Sequence, residues 1–495
     1  SSLLWDKPVP DCNSARILGV FPAPFPSHQY VFRSLTQELA RRGHDVVVIT
    51  TDPVPEDNLL PNLTEIDIHE ISYEGKADDL LELVDSYNEM FRRLLEIQIK
   101  SPLVHKFIND KDQRFDLLII EACMRPALVF SHLFKAPVIT ISTLGSIEEF
   151  TEYLGVPTHP ILYSNSLQEK INLTFWEKTK KIYTYYQMNR IQNRHEVIDN
   201  EMLKKNLGDD VPALSELKKN VAMLMLNVHH VWEGNRPTPP NVVYLGGLHL
   251  ETNYSKELST VSINILYIFG TLVIPSLLDN MKIIIKAFSK LQYDILLKWD
   301  EDFMPGCPKN IKLTKWVPQR KLLQHPNVKL FITQGGMQST DEAIAAGVPV
   351  IGIPIIVDQW HNGYAFNGII FLILTRIFNL LHLHYLFFCS YKCNIIALRK
   401  LIYDQPQTSL QRAVWWTEYI LRHGRSPHLM APAAHMSSWD FYEIDLILVL
   451  VLCTLVILST IGNDLIFVCL FVLNRLRNYW TNLNNSFINR MLHYL

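Results

Sequence analysis

The stretch from Trp316 to Gln359, WVPQRKLLQHPNVKLFITQGGMQSTDEAIAAGVPVIGIPIIVDQ, constrains this chain more than any other. A short apolar run, Val328 to Ile332, ends at Gly335-Gly336 and opens into a helical pattern. A second apolar run, Val348 to Val357, ends at Asp358-Gln359. Strand, glycine turn, helix, strand is the repeating unit of a doubly wound parallel sheet. It aims backbone N–H groups and a helix N-terminus at the carboxyl edge of the sheet, where an anion such as a pyrophosphate can sit.

The side chains along the stretch suit a nucleotide. The indole of Trp316 offers a flat face for a heterocycle. Gln319 carries both a donor and an acceptor, which suits a pyrimidine edge. Gly335 and Gly336 permit a tight turn and close backbone approach. Gln338 and Ser339 stand at the helix start, where short polar groups cap and reach phosphate oxygens. Glu342 lies one helical turn beyond Gln338, placed to accept from ribose hydroxyls. Asp358 and Gln359 end the second run at the ligand edge. A strand–glycine–helix segment by itself often makes only a sheet corner; the full ordered set is far more specific.

That ordered set closely resembles the donor-binding signature of the UDP-glycosyltransferases, and the form QGGMQSTDEA resembles their insect branch. The resemblance implies that Trp316 and Gln319 hold uracil and that Gln338 and Ser339 hold the diphosphate. It implies Glu342 for the ribose, and Asp358 and Gln359 for the sugar hydroxyls. Gln334 stands where many members have histidine, and keeps a donor for phosphate. The implied fold is α/β of GT-B type: two Rossmann-like doubly wound domains facing a cleft, plus a C-terminal transmembrane helix. The UDP-sugar is a co-substrate, and no cofactor is expected. The insect branch implies UDP-glucose; the Asp358-Gln359 pair fits a neutral hexose and leaves glucuronate open. No Asp-x-Asp cluster is placed for a metal, so none is expected.

The 495 residues are enough for two domains plus extras, and 48% hydrophobic content supplies a large core. A net charge of −3 gives no reason to expect nucleic acid. The 7 cysteines show no metal-like pairing.

The N-terminal half opens as a second doubly wound unit. Arg16 to Phe21 reads as a strand, broken by Pro22, Pro24 and Pro26. Tyr30 to Arg41 reads as an amphipathic helix and Val46 to Thr50 as the next strand. His28 falls in the loop between. A histidine titrates near neutrality and can take a proton from a hydroxyl, although an isolated loop histidine is more often only exposed. The run Pro24 to His28, PFPSH, resembles the family's catalytic-base loop, and on that resemblance His28 is the base. A base histidine works better with a carboxylate that fixes its tautomer. Glu121, after the strand Phe115 to Ile120 and on the same sheet edge, is the candidate; many members have Asp there. Segments Glu148 to His159 and Phe175 to Asn189, rich in aromatic residues, are expected to line an acceptor cleft.

These readings divide the chain into an acceptor-binding domain, 15–236, and a UDP-sugar-binding domain, 241–400, joined at Pro237 to Pro240. By resemblance, 405–428 crosses back onto the first domain, with Val414, Trp415, Tyr419 and Leu421 as its apolar face. Three regions depart from the family pattern. In 256–272, Ile268 stands where a serine is usual, while Thr271 is still placed for phosphate. The apolar run 368–393 is read as a replacement of native sequence, and the tail 463–495 lacks the family's lysine-rich end.

Residues 442–462 are expected to span a membrane. Ile444 to Ile461 is nearly all apolar, with Trp439, Phe441 and Tyr442 as an aromatic belt. Arg475 and Arg477 follow, and positive charge favours the cytosolic side. That orientation puts the bulk of a single-pass protein in the endoplasmic reticulum lumen. There the sequons at Asn62, Asn172, Asn253 and Asn484 could be glycosylated. By resemblance, a cleaved signal peptide precedes Ser1.

The reading is an inverting transferase that moves a hexose from a UDP-sugar to a hydroxyl of a small lipophilic acceptor. Detoxification, pigment and odorant clearance are the physiological roles considered. The alternative is a catalytically impaired relative that binds nucleotide sugar or lipophilic ligand without turnover. The expected partners are donor, acceptor and lipid bilayer; a homo-oligomer stays open.

Overall fold

A computed structural model describes residues 14–55, 60–72, 81–146, 151–163, 173–251, 265–267, 285–286, 288–290, 293–299, 304, 306–353, 359, 362 and 377–492. Thr271, Asp358 and Ile268 lie outside the described residues.

Seven strands form the first sheet: Arg16–Phe21 (β1), Asp45–Thr50 (β2), Leu63–Asp67 (β3), Leu117–Glu121 (β4), Val138–Ser142 (β5), Val221–Leu226 (β6) and Val242–Tyr244 (β7). Their order is β3-β2-β1-β4-β5-β6-β7, and every pairing between them is parallel. Strands β1, β2, β4, β5 and β6 are continuous apolar runs because a parallel sheet is covered on both faces. Five further strands, Ile265–Tyr267 (β8), Ile295–Lys298 (β9), Ile311–Thr314 (β10), Phe331–Thr333 (β11) and Val350–Gly352 (β12), form a second parallel sheet. Its order is β10-β9-β8-β11-β12.

Each order reverses once, between β1 and β4 in the first sheet and between β8 and β11 in the second. Open parallel sheets bind ligands at such switch points, beyond the carboxyl ends of the strands. His28 follows β1 and Glu121 ends β4; Gly335-Gly336 follows β11.

The helices used below are Pro26–Arg41 (α1), Leu81–Lys100 (α2), Phe175–Leu207 (α3), Gln319–Leu323 (α4), Met337–Ala346 (α5), Ile377–Tyr403 (α6), Ser409–His423 (α7) and Ile444–Leu492 (α8). Helix α1 begins four residues earlier than its apolar periodicity indicates, so His28 sits in its first turn and not in a loop. Pro26 is the reason: its fixed φ suits a first helical position, where its missing N–H costs nothing.

A buried polar cluster ties α2 and α3 to the turn after β4. Arg125 donates to Asp199 at 2.6 Å, and Arg92 reaches the same carboxylate at 3.5 Å. Arg92 also donates to His195 Nδ1 at 3.0 Å, and His195 pairs with Asp85 through its other nitrogen. At the aromatic start of α3, Phe175, Trp176, Tyr183 and Tyr186 are exposed.

Helix α7 packs on the first sheet's core beside α1. Ala413, Val414 and Ile420 are buried there with Ile17, Phe32 and Leu35. Its inward face is therefore Ala413, Val414, Thr417 and Ile420; Trp415 is 42% exposed. Ser409 Oγ and Arg412 Nη1 donate to the carbonyls of Leu245 and Tyr244, at 3.0 and 2.9 Å. Helix α6 runs unbroken from the 368–393 segment into the following family-like residues. Its Lys392 donates to the Gly347 carbonyl at 2.6 Å, covering the C-terminus of α5.

Residues 1–435 and 436–495 form separate compact units. The second is dominated by α8, whose residues Ile444–Asn482 are long and apolar enough to cross a membrane. The helix continues through Gly462-Asn463-Asp464 without a break.

Candidate active site

The first half of the site is built at the β1/β4 switch. His28 Nδ1 and Glu121 Oε1 lie 2.7 Å apart, with Glu121 1% and His28 9% exposed. A carboxylate accepts from Nδ1–H, which in the neutral imidazole leaves Nε2 its lone pair. That is the tautomer a general base needs. The longer glutamate side chain is held by two further donors. Ala23 N–H donates to Oε2 at 3.2 Å, and the Cys123 thiol to Oε1 at 3.2 Å. Gln29 locks the turn that presents Ala23: its Nε2 donates to the carbonyls of Phe21 and Ala23, at 3.1 and 3.0 Å, and its Oε1 accepts from Thr50 at 2.9 Å. The rings of Phe25 and Phe32 flank the imidazole, with centroids at 5.0 and 6.4 Å.

The donor atoms of His28, Glu121 and Cys123 also converge as cation ligands do. Their 2.7 and 3.2 Å separations are hydrogen-bond lengths. Ligand atoms on a zinc tetrahedron, with bonds of about 2.0–2.3 Å, stand roughly 3.3 Å or more apart. The void behind Glu121, bordered by Met124, Arg125, Leu128 and Thr140, holds only a water-sized guest and cannot be an acceptor cleft.

The second half lies at the β8/β11 switch. Gly335 has φ +86°, the left-handed turn that lets the chain leave β11 and enter α5. Gly336 is the N-cap of α5 and offers no side-chain cap, so the first N–H groups of the helix are left for another acceptor. A Cβ built on Gly336 would meet nothing within 4 Å. Among the described residues, the space beside Gly336 is therefore open. Asn362, absent from the sequence reading, donates to the Gly335 carbonyl at 2.9 Å and steadies the turn.

Three donor-side residues meet around Gln319, which opens α4. Its Nε2 donates to Glu342 Oε2 at 2.7 Å and to Ser339 Oγ at 3.1 Å. Trp316 is 54% exposed, with its indole accessible for stacking. Gln334 and Gln359 are buried together, Gln359 Nε2 lying 3.4 Å from Gln334 Oε1. Burial pushes Glu342 up to about 7, against the pull of Gln319 and Arg320. Its neighbour Asp341 is pushed up to about 8 by burial and then by Glu342, with the Trp232 indole opposing.

Gln338 joins the two halves, a contact the sequence did not disclose. Its Nε2 donates to the Thr143 carbonyl just beyond β5, at 3.1 Å. Its own carbonyl accepts from His249 Nε2 at 3.3 Å. Desolvation lowers His249 to about 4, so this buried imidazole bridges in its neutral form. Tyr30, two residues past His28, has its phenol pKa raised by burial, by Asp52 and also by Glu342.

Two parallel-sheet lobes, one carrying an imidazole–carboxylate pair at its switch point and the other a helix N-terminus behind a glycine turn, have the architecture of the GT-B glycosyltransferases. A family model described as UDP-glucoronosyl and UDP-glucosyl transferase matches residues 51–478, and the chain belongs to that family. The Ecdysteroid UDP-glucosyltransferase of Spodoptera littoralis nuclear polyhedrosis virus is 33% identical over 485 residues, covering 88% of this chain and 94% of its own. UDP-glycosyltransferase UGT5 of Dactylopius coccus is 29% identical over 507 residues, covering 93% and 94%. A solved UDP-glucosyltransferase from Polygonum tinctorium, capable of glucosylating indoxyl, shares the fold with TM-score 0.56 at 14% identity, over 82% of this chain and 98% of its own. The protein is therefore an enzyme that transfers a hexose from a UDP-sugar.

Proposed function

We propose that the enzyme transfers glucose from UDP-glucose, with inversion, to a hydroxyl of a small lipophilic acceptor, using His28 as general base. Nε2 of His28 takes the acceptor's proton as the oxygen attacks the anomeric carbon from the face opposite UDP. Glu121 holds the imidazole and balances the imidazolium. UDP leaves against the N-terminus of α5, with Gln338 and Ser339 on the diphosphate. Trp316 and Gln319 take the uracil, Glu342 the ribose, and Asp358 and Gln359 the sugar. Gln334 and Thr271 complete the donor set as phosphate donors. The chain works as a single-pass protein with its lobes in the endoplasmic reticulum lumen.

The observation that carries this reading is the 2.7 Å contact between His28 Nδ1 and Glu121. It supports turnover over the alternative of binding alone, since a relative that only binds has no use for an oriented base. The test is UDP release from UDP-glucose with a panel of 4-nitrophenol, 1-naphthol and ecdysone. Ecdysone joins the panel because the viral relative is named for ecdysteroids. Acceptor-dependent release that disappears in His28→Ala is expected; donor binding without release, unchanged by that substitution, overturns the reading.

A further inference from the structure

We propose that Cys123 is a positioning residue of the transfer reaction, its thiol holding Glu121 in the orientation that reaches His28. The inference rests on the reading of His28 as the base. A glutamate side chain has three torsions to fix, and each loosened torsion blurs the alignment of the carboxylate. Glu121 Oε2 is fixed by one backbone donor, Ala23 N–H at 3.2 Å. Oε1, the atom that meets His28, has a single side-chain donor besides the imidazole among the described residues: Cys123 Sγ at 3.2 Å.

Local backbone geometry brings the thiol there. Cys123 lies two residues past Glu121, in the turn closed by Met124 N–H on the Glu121 carbonyl at 3.2 Å. The turn folds its side chain back over the carboxylate that ends β4. Cys123 forms no disulfide and is partly exposed. The thiol also shares the charge on Oε1. Without it, that oxygen turns more of its negative charge on the imidazole and holds the imidazolium proton more firmly.

The test compares wild type with Cys123→Ala, Cys123→Ser and His28→Ala across pH, using UDP-glucose with 1-naphthol, or with ecdysone should the naphthol not turn over. Cys123→Ala is expected to lower kcat/KM about threefold to tenfold at neutral pH. The acid limb of its profile moves to higher pH, while KM for UDP-glucose stays within about twofold. Cys123→Ser, which keeps a donor, restores both rate and profile. Cys123→Val, similar in size but without a donor, replaces the alanine variant should that one not fold. Wild-type rate and profile in the variant without a donor overturn the proposal. A serine variant as impaired as the alanine one also overturns it, by showing a packing role. Retained turnover in His28→Ala defeats the base reading itself, a result separate from either cysteine outcome.

Discussion

His28 and Glu121 are separated by 93 positions in sequence and by 2.7 Å in space, His28 in the first turn of the helix that follows β1 and Glu121 at the end of β4, the two strands that flank the first sheet's switch point. The contact is charge-assisted and almost dry, so removing either side has distinct consequences. His28→Ala should cut kcat by a factor on the order of 10²–10⁴, the usual worth of a positioned base. Glu121→Gln keeps the shape but can present its amide to Nδ1 and favour the wrong tautomer, so a loss of about 10–10²-fold is expected. Glu121→Asp withdraws the carboxylate by one methylene and should be similarly impaired. Steady-state kinetics with circular dichroism as a folding control measure all three; a Glu121→Asp enzyme as fast as wild type would show that the contact is dispensable.

The two glycines of the donor turn should respond oppositely. Gly335 holds φ +86°, so Gly335→Ala strains the backbone and should cost about 1 kcal/mol or more of stability. Gly336 has φ −61°, acceptable to any residue, and its Cβ direction is open. Gly336→Ala should therefore melt within about 0.5 kcal/mol of wild type. Its methyl would instead stand where the donor's diphosphate is proposed to approach, raising Kd for UDP by about tenfold. Melting curves and calorimetric titration with UDP separate the two effects.

Glu342 links donor affinity to pH. Burial raises its carboxyl from 4.5 to about 7, so it is half protonated near neutrality. If ribose hydroxyls donate to its ionised form, UDP binding should weaken by up to about tenfold per pH unit below 7, and Glu342→Gln should bind weakly with no such slope. Stability runs the other way. The folded carboxyl holds its proton more tightly than the unfolded one, so the donor-free protein loses stability as pH rises from about 4.5 through 7. Asp341 extends that decline toward 8. Asp341→Asn should raise the melting temperature already at pH 6 and by more at pH 9, because the unfolded wild-type chain ionises at this position from about pH 4 while the folded form holds its proton until about 8.

Much of this architecture was readable from periodicity and punctuation. Apolar runs ending at Phe21 and Ile120 mark strands whose carboxyl ends share the ligand edge of the first sheet, and the run ending at Ile332 marks the corresponding edge of the second. The residues on that edge were therefore named before their contacts were known. Contacts between elements distant in sequence were not readable. Nothing local to Gln338 indicates that its amide reaches Thr143, because that depends on how the two lobes meet. The inward face of α7 is legible only in part, for a related reason: Val414, Tyr419 and Leu421 pack on the core and Trp415 does not. Trp415 and Trp416 are its bulkiest apolar residues, yet the surface beside α1 buries Ala413 and Thr417, takes Trp416 only in part and leaves Trp415 outside. Exposed aromatic residues at the start of α3 show the same limit: composition records hydrophobicity, while the packing partner decides burial.

Asp199 offers a test of how the catalytic turn is supported at a distance. Its carboxylate is 1% exposed and receives Arg125 at 2.6 Å and Arg92 at 3.5 Å. Arg125 stands four residues after Glu121, so the pair fixes the segment that leaves β4. Asp199→Ala would strand two largely buried guanidinium groups, and breaking a buried pair from one side costs about 3–5 kcal/mol. Asp199→Asn keeps an acceptor oxygen for Arg125 and should lose less. The loss should appear as a lower melting temperature for the first lobe, while UDP affinity, which depends on the second sheet, stays near wild type. Activity at low temperature should fall further in Asp199→Ala than the unfolded fraction explains, because the turn carrying Cys123 and Arg125 loosens with it. Unchanged melting in Asp199→Ala would mean that the two arginines find other acceptors, and that α3 contributes nothing to holding Glu121 in place.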